Sequence, residues 1–168
     1  MYYSGIINCS VVDGKGFRTS LFISGCKHHC EGCQNKETWD FKNGKPYTKE
    51  VEKLLFNKIK DSKIQGLTLT GGDPLFNKED VFNLLSRFRK CFGQSKDVWL
   101  YTGYKFEDLL IDNNPLTQHI LTHVDVLVDG RYMKDLRDTS LAFRGSSNQR
   151  IIDVKATLDK NKVITLNL

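Results

Sequence analysis

The sequence predicts an α/β fold, with parallel strands and flanking helices, that is too short to close into a complete barrel. Three observations carry this reading. Short runs rich in β-branched residues alternate with segments of helical periodicity, which is the pattern of βαβ units. Four of the strands end in a glycine-containing polar turn: Ser24-Gly25-Cys26, Gly71-Gly72-Asp73, Thr102-Gly103-Tyr104 and Asp129-Gly130-Arg131. In parallel α/β folds the carboxyl ends of the strands share one edge, where ligands bind, so these four turns should face one site. Finally, 168 residues make about one domain, 1–168, and fall short of the roughly 200 or more that a closed eight-stranded barrel takes.

Taken in order, Ile6 to Val12 alternate loosely as an opening strand, and Asp13-Gly14-Lys15-Gly16 ends it in a turn. Phe17-Arg18 leads into a strand over Thr19 to Ile23, and the cysteine-rich stretch Ser24 to Asn35 follows directly. Asn43-Gly44-Lys45-Pro46 is a connection, after which Thr48 caps a helix running to about Lys60. In that helix Val51, Leu54, Leu55, Lys58 and Ile59 fall on one stripe, read as core. Gly66 to Thr70 is a strand broken by Gly71-Gly72-Asp73-Pro74. A second helix starts near Asn77 with Val81, Phe82, Leu84, Leu85 and Phe88 inward. Then come a strand from Val98 to Tyr101, helices over Phe106 to Ile111 and Pro115 to Leu121, and a strand from Val124 to Val128. Arg150 to Val154 and Val163 to Leu166 are late strands, with Leu158 to Lys162 as the turn between them.

Hydrophobic content of 39% and charged content of 27% are ordinary for a globular chain. No apolar run approaches the roughly 18 residues of a membrane span. The start, Met1-Tyr2-Tyr3-Ser4-Gly5, lacks a basic region followed by an apolar stretch, so the expectation is a cytoplasmic protein with no membrane partner. The net charge of +5 comes from scattered lysines, such as Lys58, Lys60 and Lys63 or Lys155, Lys160 and Lys162. These read as a solvated face and not as a nucleic-acid groove.

The chemistry concentrates in Cys26, Cys30 and Cys33, spaced C-x3-C-x2-C directly after a strand. Thiolates are soft donors that suit iron–sulfur clusters, zinc or copper(I). Three protein ligands leave one position of a four-coordinate site or of a four-iron cluster open, as a catalytic site requires. On spacing alone a zinc knuckle completed by His28 or His29 stands beside the cluster reading. A cytoplasm, being reducing, suits clustered cysteines as ligands in either case.

The surrounding residues narrow the choice. Gly25-Cys26 through Cys30-Glu31-Gly32-Cys33, with Asn35 and Thr38-Trp39, is followed in order by further blocks. These are Gly66-Leu67-Thr68-Leu69-Thr70-Gly71-Gly72-Asp73-Pro74-Leu75, Tyr101-Thr102-Gly103-Tyr104, Asp125 to Gly130 and Arg144-Gly145-Ser146-Ser147-Asn148-Gln149. Together they span nearly the whole chain and resemble the radical S-adenosylmethionine enzymes, in particular the activating proteins of anaerobic (class III) ribonucleoside-triphosphate reductase. The resemblance implies an open, partial (β/α) barrel and one [4Fe-4S] cluster on Cys26, Cys30 and Cys33. It implies reductive cleavage of S-adenosyl-L-methionine to methionine and a 5′-deoxyadenosyl radical, which takes hydrogen from a glycine of the reductase. No catalytic residue is implied beyond cluster and cosubstrate. The implied partners are the reductase's catalytic subunit, a one-electron donor such as flavodoxin, and a homodimer or a heterotetramer with the reductase. Activation of a pyruvate formate-lyase-type enzyme would share this chemistry, but the chain's small size and its Thr38-Trp39 block argue against it.

By the same resemblance Gly71, Gly72 and Asp73 hold the methionyl amino group, and Gly32 and Gln34 beside Cys33 contact the cosubstrate. Glycines suit such a place because backbone without Cβ can approach a ligand closely and offer its carbonyl oxygens. The family commonly carries proline where this chain has Lys15, a departure that leaves the glycine turn intact. His28 and His29 read as solvent-side loop residues. Cys9 has no partner at metal spacing, and Cys91 reads as core. Tyr101, Tyr104, Asp125 and Asp129 are expected at strand ends near the site. The Arg144 to Gln149 block reads as a surface loop, which only the resemblance connects to the site or to the reductase.

Overall fold

The computed structural model describes all of residues 1–168. Seven strands form one sheet in the order β3-β1-β2-β4-β5-β6-β7. They are β1 (Tyr2–Ser10), β2 (Phe17–Ile23), β3 (Lys45–Pro46), β4 (Ile64–Gly71), β5 (Asp97–Tyr101), β6 (Val126–Asp129) and β7 (Arg150–Asp153). The four central strands β2, β4, β5 and β6 are mutually parallel, as the alternation predicts. The edges are antiparallel: β3 on β1, β1 on β2, and β7 on β6. The sheet is open, with five helices: α1 (Lys49–Ile59), α2 (Lys78–Phe92), α3 (Phe106–Leu110), α4 (Pro115–Leu121) and α5 (Val154–Lys160). None is long and apolar enough to cross a membrane.

Strand alternation sorts the two faces of the sheet. Leu21, Ile23, Leu67, Leu69, Val98, Leu100, Leu127 and Ile152 join one core with Leu55 and Ile59 of α1, Val81, Leu84, Leu85 and Phe88 of α2, and Ile120 of α4. The intervening residues Trp99, Val126, Val128 and Ile151 form a second, smaller cluster with Tyr101 and Phe143. Thr48 caps α1 by accepting from the Val51 N–H (3.4 Å), an arrangement worth about 1 kcal/mol.

Several expectations need correction. In α1, Leu54 is 52% exposed, while Glu52 is buried against the helix-α2 residue Arg87 with bonds of 2.6 and 2.8 Å. The helix is therefore rotated so that a paired carboxylate, and not Leu54, faces inward. Residues 158–160 continue helix α5, which Asp153 caps by accepting from Ala156 N–H (2.9 Å) and which Asn161 ends in a left-handed conformation. The final segment makes no strand; it touches the sheet through an isolated bridge between Ile152 and Thr165. Cys91 is exposed, because the buried stripe of α2 passes through Val81, Leu84, Leu85 and Phe88.

Candidate active site at the carboxyl edge of the sheet

All four glycine turns converge. Cys26, Gly71, Gly72, Asp73, Thr102, Gly103 and Gly130 line a single cavity of about 710 Å³, together with Cys30, Cys33 and Gln34. That volume lies within the roughly 300–1,000 Å³ of small-molecule sites. Gly32 is not among the residues that line the cavity: it is half-buried with φ +73°, and an added Cβ would stand 3.3 Å from Lys134 side-chain carbons.

The cysteine loop is sewn to the end of β4 by backbone. Gly72 N–H donates to Ile23 O (2.7 Å) and Asp73 N–H to Gly25 O (3.0 Å). On its other flank, Gly25 N–H donates to Thr38 O (2.7 Å) and Cys26 N–H to Trp39 O (3.2 Å). Glycine is required for this closeness: a Cβ on Gly72 would stand 2.6 Å from Gly25 O, and one on Gly71, at φ +103°, 2.7 Å from Ile23 backbone atoms. Asn35 completes the seam, its Nδ2 donating to Gly71 O (3.3 Å).

Asp73 is 1% exposed, and its carboxylate is a hub. Oδ1 accepts from Leu75 N–H (2.9 Å). Oδ2 faces His28 Nε2 (2.8 Å), Thr102 Oγ1 (2.9 Å) and Gly103 N (2.9 Å). A buried carboxylate is tolerated only when its acceptor capacity is met, and here three strand-end loops meet it. His28 is thus no solvent-side residue. Its side chain is 5% exposed and its ring packs against Phe76 and Tyr104, with centroids 5.2 and 4.8 Å away. His29 does lie outside, stacked on Trp39 at 4.6 Å.

At the far side, Asp129 accepts from Phe106 N–H (2.8 Å) and is ion-paired with Arg150, which also pairs with Glu107 (2.7 Å). Gln149 ties the Arg144 to Gln149 loop into the cavity wall. Its Oε1 accepts from Gly145 N–H (2.9 Å) and its Nε2 donates to Gly130 O (2.9 Å). Tyr101 donates to Phe143 O (2.9 Å), and burial pushes its hydroxyl pKa up. Asp125 is the misplaced expectation. It precedes β6, at the opposite edge, where it holds Arg89 (2.6 Å) and accepts from Val98 N–H (2.7 Å).

The chemistry of the donor set bears on the metal readings. Of the two histidines that would complete a zinc knuckle, His28 is spent on Asp73, while His29 stacks on Trp39. A cluster instead spreads its thiolates over different irons, and three cysteines around one cavity suit that arrangement. Burial pushes the Cys26 and Cys30 thiols up, with the charges of Asp73 and Cys33 respectively adding to the effect. Metal coordination reverses that preference by deprotonating the sulfur outright.

Sequence reasoning missed Thr102 and His28 as parts of the Asp73 hub, and Asn77, whose Nδ2 donates to Ser24 O (3.0 Å). The one signal for Thr102 was a small polar residue directly at a strand end. His28 had none, because its exposure depends on which loop folds over it.

Comparison with known proteins agrees with this geometry. A family model described as "4Fe-4S single cluster domain" matches residues 12–152. Three relatives named anaerobic ribonucleoside-triphosphate reductase-activating protein align over almost their full length. That of Enterobacteria phage T4 is 46% identical over 153 residues, 90% of this chain and 93% of its own. Its counterpart in Escherichia coli is 44% identical over 154 residues, 89% and 96% of the two chains. The one from Pasteurella multocida is 42% identical over 156 residues, 90% and 96%. With a cysteine-lined cavity at the carboxyl edge of a parallel sheet, this chain belongs to the 4Fe-4S family of anaerobic ribonucleoside-triphosphate reductase-activating proteins.

Proposed function

We propose that this protein activates an anaerobic ribonucleoside-triphosphate reductase by installing a glycyl radical on it, using S-adenosyl-L-methionine. The observation that carries the reading is the convergence of Cys26, Cys30 and Cys33 with Gly71 and Gly72 on one cavity. The three cysteines hold the cluster. Gly71, Gly72 and Asp73 form the cradle for the methionyl amino group, with Gly32 and Gln34 beside it. Held by Cys26, Cys30 and Cys33, the cluster would supply one electron for reductive cleavage of S-adenosyl-L-methionine, whose products would be methionine and, once a hydrogen atom is taken from the reductase glycine, 5′-deoxyadenosine.

The chain's own residues bind, orient and enclose. Since both Asp73 oxygens are occupied by protein donors, backbone carbonyls of the cradle are the acceptors that meet the ammonium. The reductase completes the wall. Its glycine loop enters the cleft between the cysteine loop and the Asp129-Gly130-Arg131 turn, past Val11 and Val12, which are 57% and 71% exposed beside the cavity. Such a loop must leave its own fold to be delivered, so association depends on the reductase's conformational state. The reaction needs a one-electron donor such as flavodoxin. The five free cysteines suit a reducing cytoplasm, and the single sheet suits one domain over residues 1–168.

The test is to mix the anaerobic protein with its cognate reductase, reductant and S-adenosylmethionine, and to record the electron paramagnetic resonance spectrum. A glycyl radical is expected on the reductase. A cluster-loaded protein that cleaves the cosubstrate but never radicalises the reductase overturns the assigned substrate.

A further inference from the structure

A second cavity, of about 850 Å³, lies beside the first and is lined mainly by polar and charged groups, among them Lys105, Arg131 and Arg150. His28, Gly103 and Gly130 line both cavities. His28 is therefore part of the partition between the cysteine-lined cavity and a polar one. It fills a slot that exists because residue 103 has no side chain: a Cβ there would stand 2.4 Å from His28 Cδ2. Its ring is held by Phe76 and Tyr104. Since a carboxylate oxygen accepts, His28 Nε2–H donates to Asp73 Oδ2 at 2.8 Å.

From this geometry we propose that His28 is a positioning residue. It locks the Cys26–Cys30 segment to the Gly72–Asp73 turn and, through the shared Oδ2, to the Thr102–Gly103 strand end. Those three segments come from β2, β4 and β5, and the Asp73 carboxylate joins their side chains at one atom. His28 is the member of that junction that belongs to the cysteine loop itself. Two consequences follow. The cysteine loop cannot shift along the cradle without breaking a buried hydrogen bond, which leaves a desolvated acceptor behind. And the imidazole keeps the polar cavity's water away from the cysteine side, where exclusion of water strengthens every electrostatic contact.

The inference rests on the proposed cluster and cosubstrate chemistry, and the experiment separates the two. His28→Leu keeps apolar bulk and removes the donor; His28→Gln places an amide donor near the position of Nε2. Wild type and both variants are reconstituted anaerobically. Iron and sulfide are counted, and S-adenosylmethionine is titrated while the reduced cluster's paramagnetic spectrum is followed. If wild type shows no cosubstrate-induced spectral change, the cosubstrate reading fails. If wild type responds, H28L is expected to need about 10- to 100-fold more cosubstrate, the usual cost of losing a partner that orients a metal's ligands, and H28Q to recover most of the response. A wild-type titration in H28L overturns the positioning role. So does an equal defect in H28Q, and so does loss of iron from both variants, which would make His28 a ligand.

Discussion

The two ends of the parallel sheet both bury charge, yet they are built to opposite purposes. At the amino edge, Arg18 is fully buried. It donates to Thr68 Oγ1 (2.8 Å) and Leu67 O (2.9 Å), faces Asp97 Oδ1 at 2.6 Å as an ion pair without hydrogen-bond alignment, and lies 5.3 Å from the Trp99 ring centre. Arg89 and Asp125 repeat the pattern on the helical side. Cations and anions there satisfy one another and close the end. At the carboxyl edge the buried Asp73 bonds instead to loop backbone and loop side chains, while Asp129 is shared between the Phe106 N–H and Arg150, and the turns that carry these residues stand around a cavity. Buried charge at one edge replaces a ligand site; at the other it holds one open.

The sharpest way to break this contrast is at sulfur. Cys26→Ala, Cys30→Ala or Cys33→Ala is expected to take iron content from about four per chain to near none, since two thiolates are too few to hold the cluster. Cys9→Ala and Cys91→Ala, at exposed positions outside the cavity, are expected to leave it unchanged. Iron and sulfide analysis after anaerobic reconstitution checks both. Equal loss in Cys9→Ala would show that the ligand set is wrongly drawn.

At the amino edge the expected loss is stability, not chemistry. Arg18→Met removes the fully buried partner of an ion pair whose carboxylate is 29% exposed and should cost about 3 kcal/mol, the lower end for a broken buried pair, because burial already pushes the Asp97 carboxyl up and Arg18 is the main group that opposes it. Urea denaturation measures this. The folded fraction should still take up iron as wild type does; a variant of full stability without a cluster would place Arg18 in the site.

How much of this was legible in the sequence divides along the same line. The alternation of strands with helices that makes the parallel core, the Thr48 cap and the convergence of four glycine turns follow from local pattern, because periodicity and turn chemistry are local properties. The roles of His28 and Asp125 are not local. Asp125 sits four residues before Asp129 in one short segment, yet one closes the amino edge and the other braces the carboxyl edge, since the intervening strand β6 crosses the whole sheet. Leu54 failed for a related reason: helical spacing marks a stripe, but the buried face runs through Glu52, Leu55 and Ile59, with Glu52 paired to Arg87 across the helices.

Gly72→Ala sharpens the comparison from inside the carboxyl edge. Its added Cβ would meet Gly25 O at 2.6 Å and Thr38 O at 2.9 Å, so the cradle and the cysteine loop must separate. Cosubstrate affinity is expected to fall about 10- to 100-fold, as when a metal site's supporting shell is disturbed. Gly5→Ala is the control, with no atom within 4 Å of the new Cβ. Both are read by the same spectroscopic titration. Equal behaviour of the two variants would mean that the backbone seam has no bearing on the cradle.

The smallest expected effect lies where the carboxyl edge meets water. Glu107 is 53% exposed, and its hydrogen bonds from Arg150 hold its carboxyl at about 2, below the usual range near 4.3. A carboxylate with a depressed folded pKa contributes stability that is fully present above its unfolded value and is lost as pH falls through the folded one. For Glu107 that window runs from about 4.3 down to about 2. Because solvent screens an exposed pair, Glu107→Gln should cost no more than about 1 kcal/mol at neutral pH. Arg150 keeps Asp129, which is buried, so the brace itself survives. Urea midpoints of wild type and variant should differ slightly at pH 7 and converge toward pH 2. The shared acid limb that remains comes in part from Asp112, held at about 2 by Lys78 and Thr117. A difference that persists undiminished at pH 2 would show that Glu107 acts through packing and not through charge, and that the outer rim of the carboxyl edge is built like the amino edge after all.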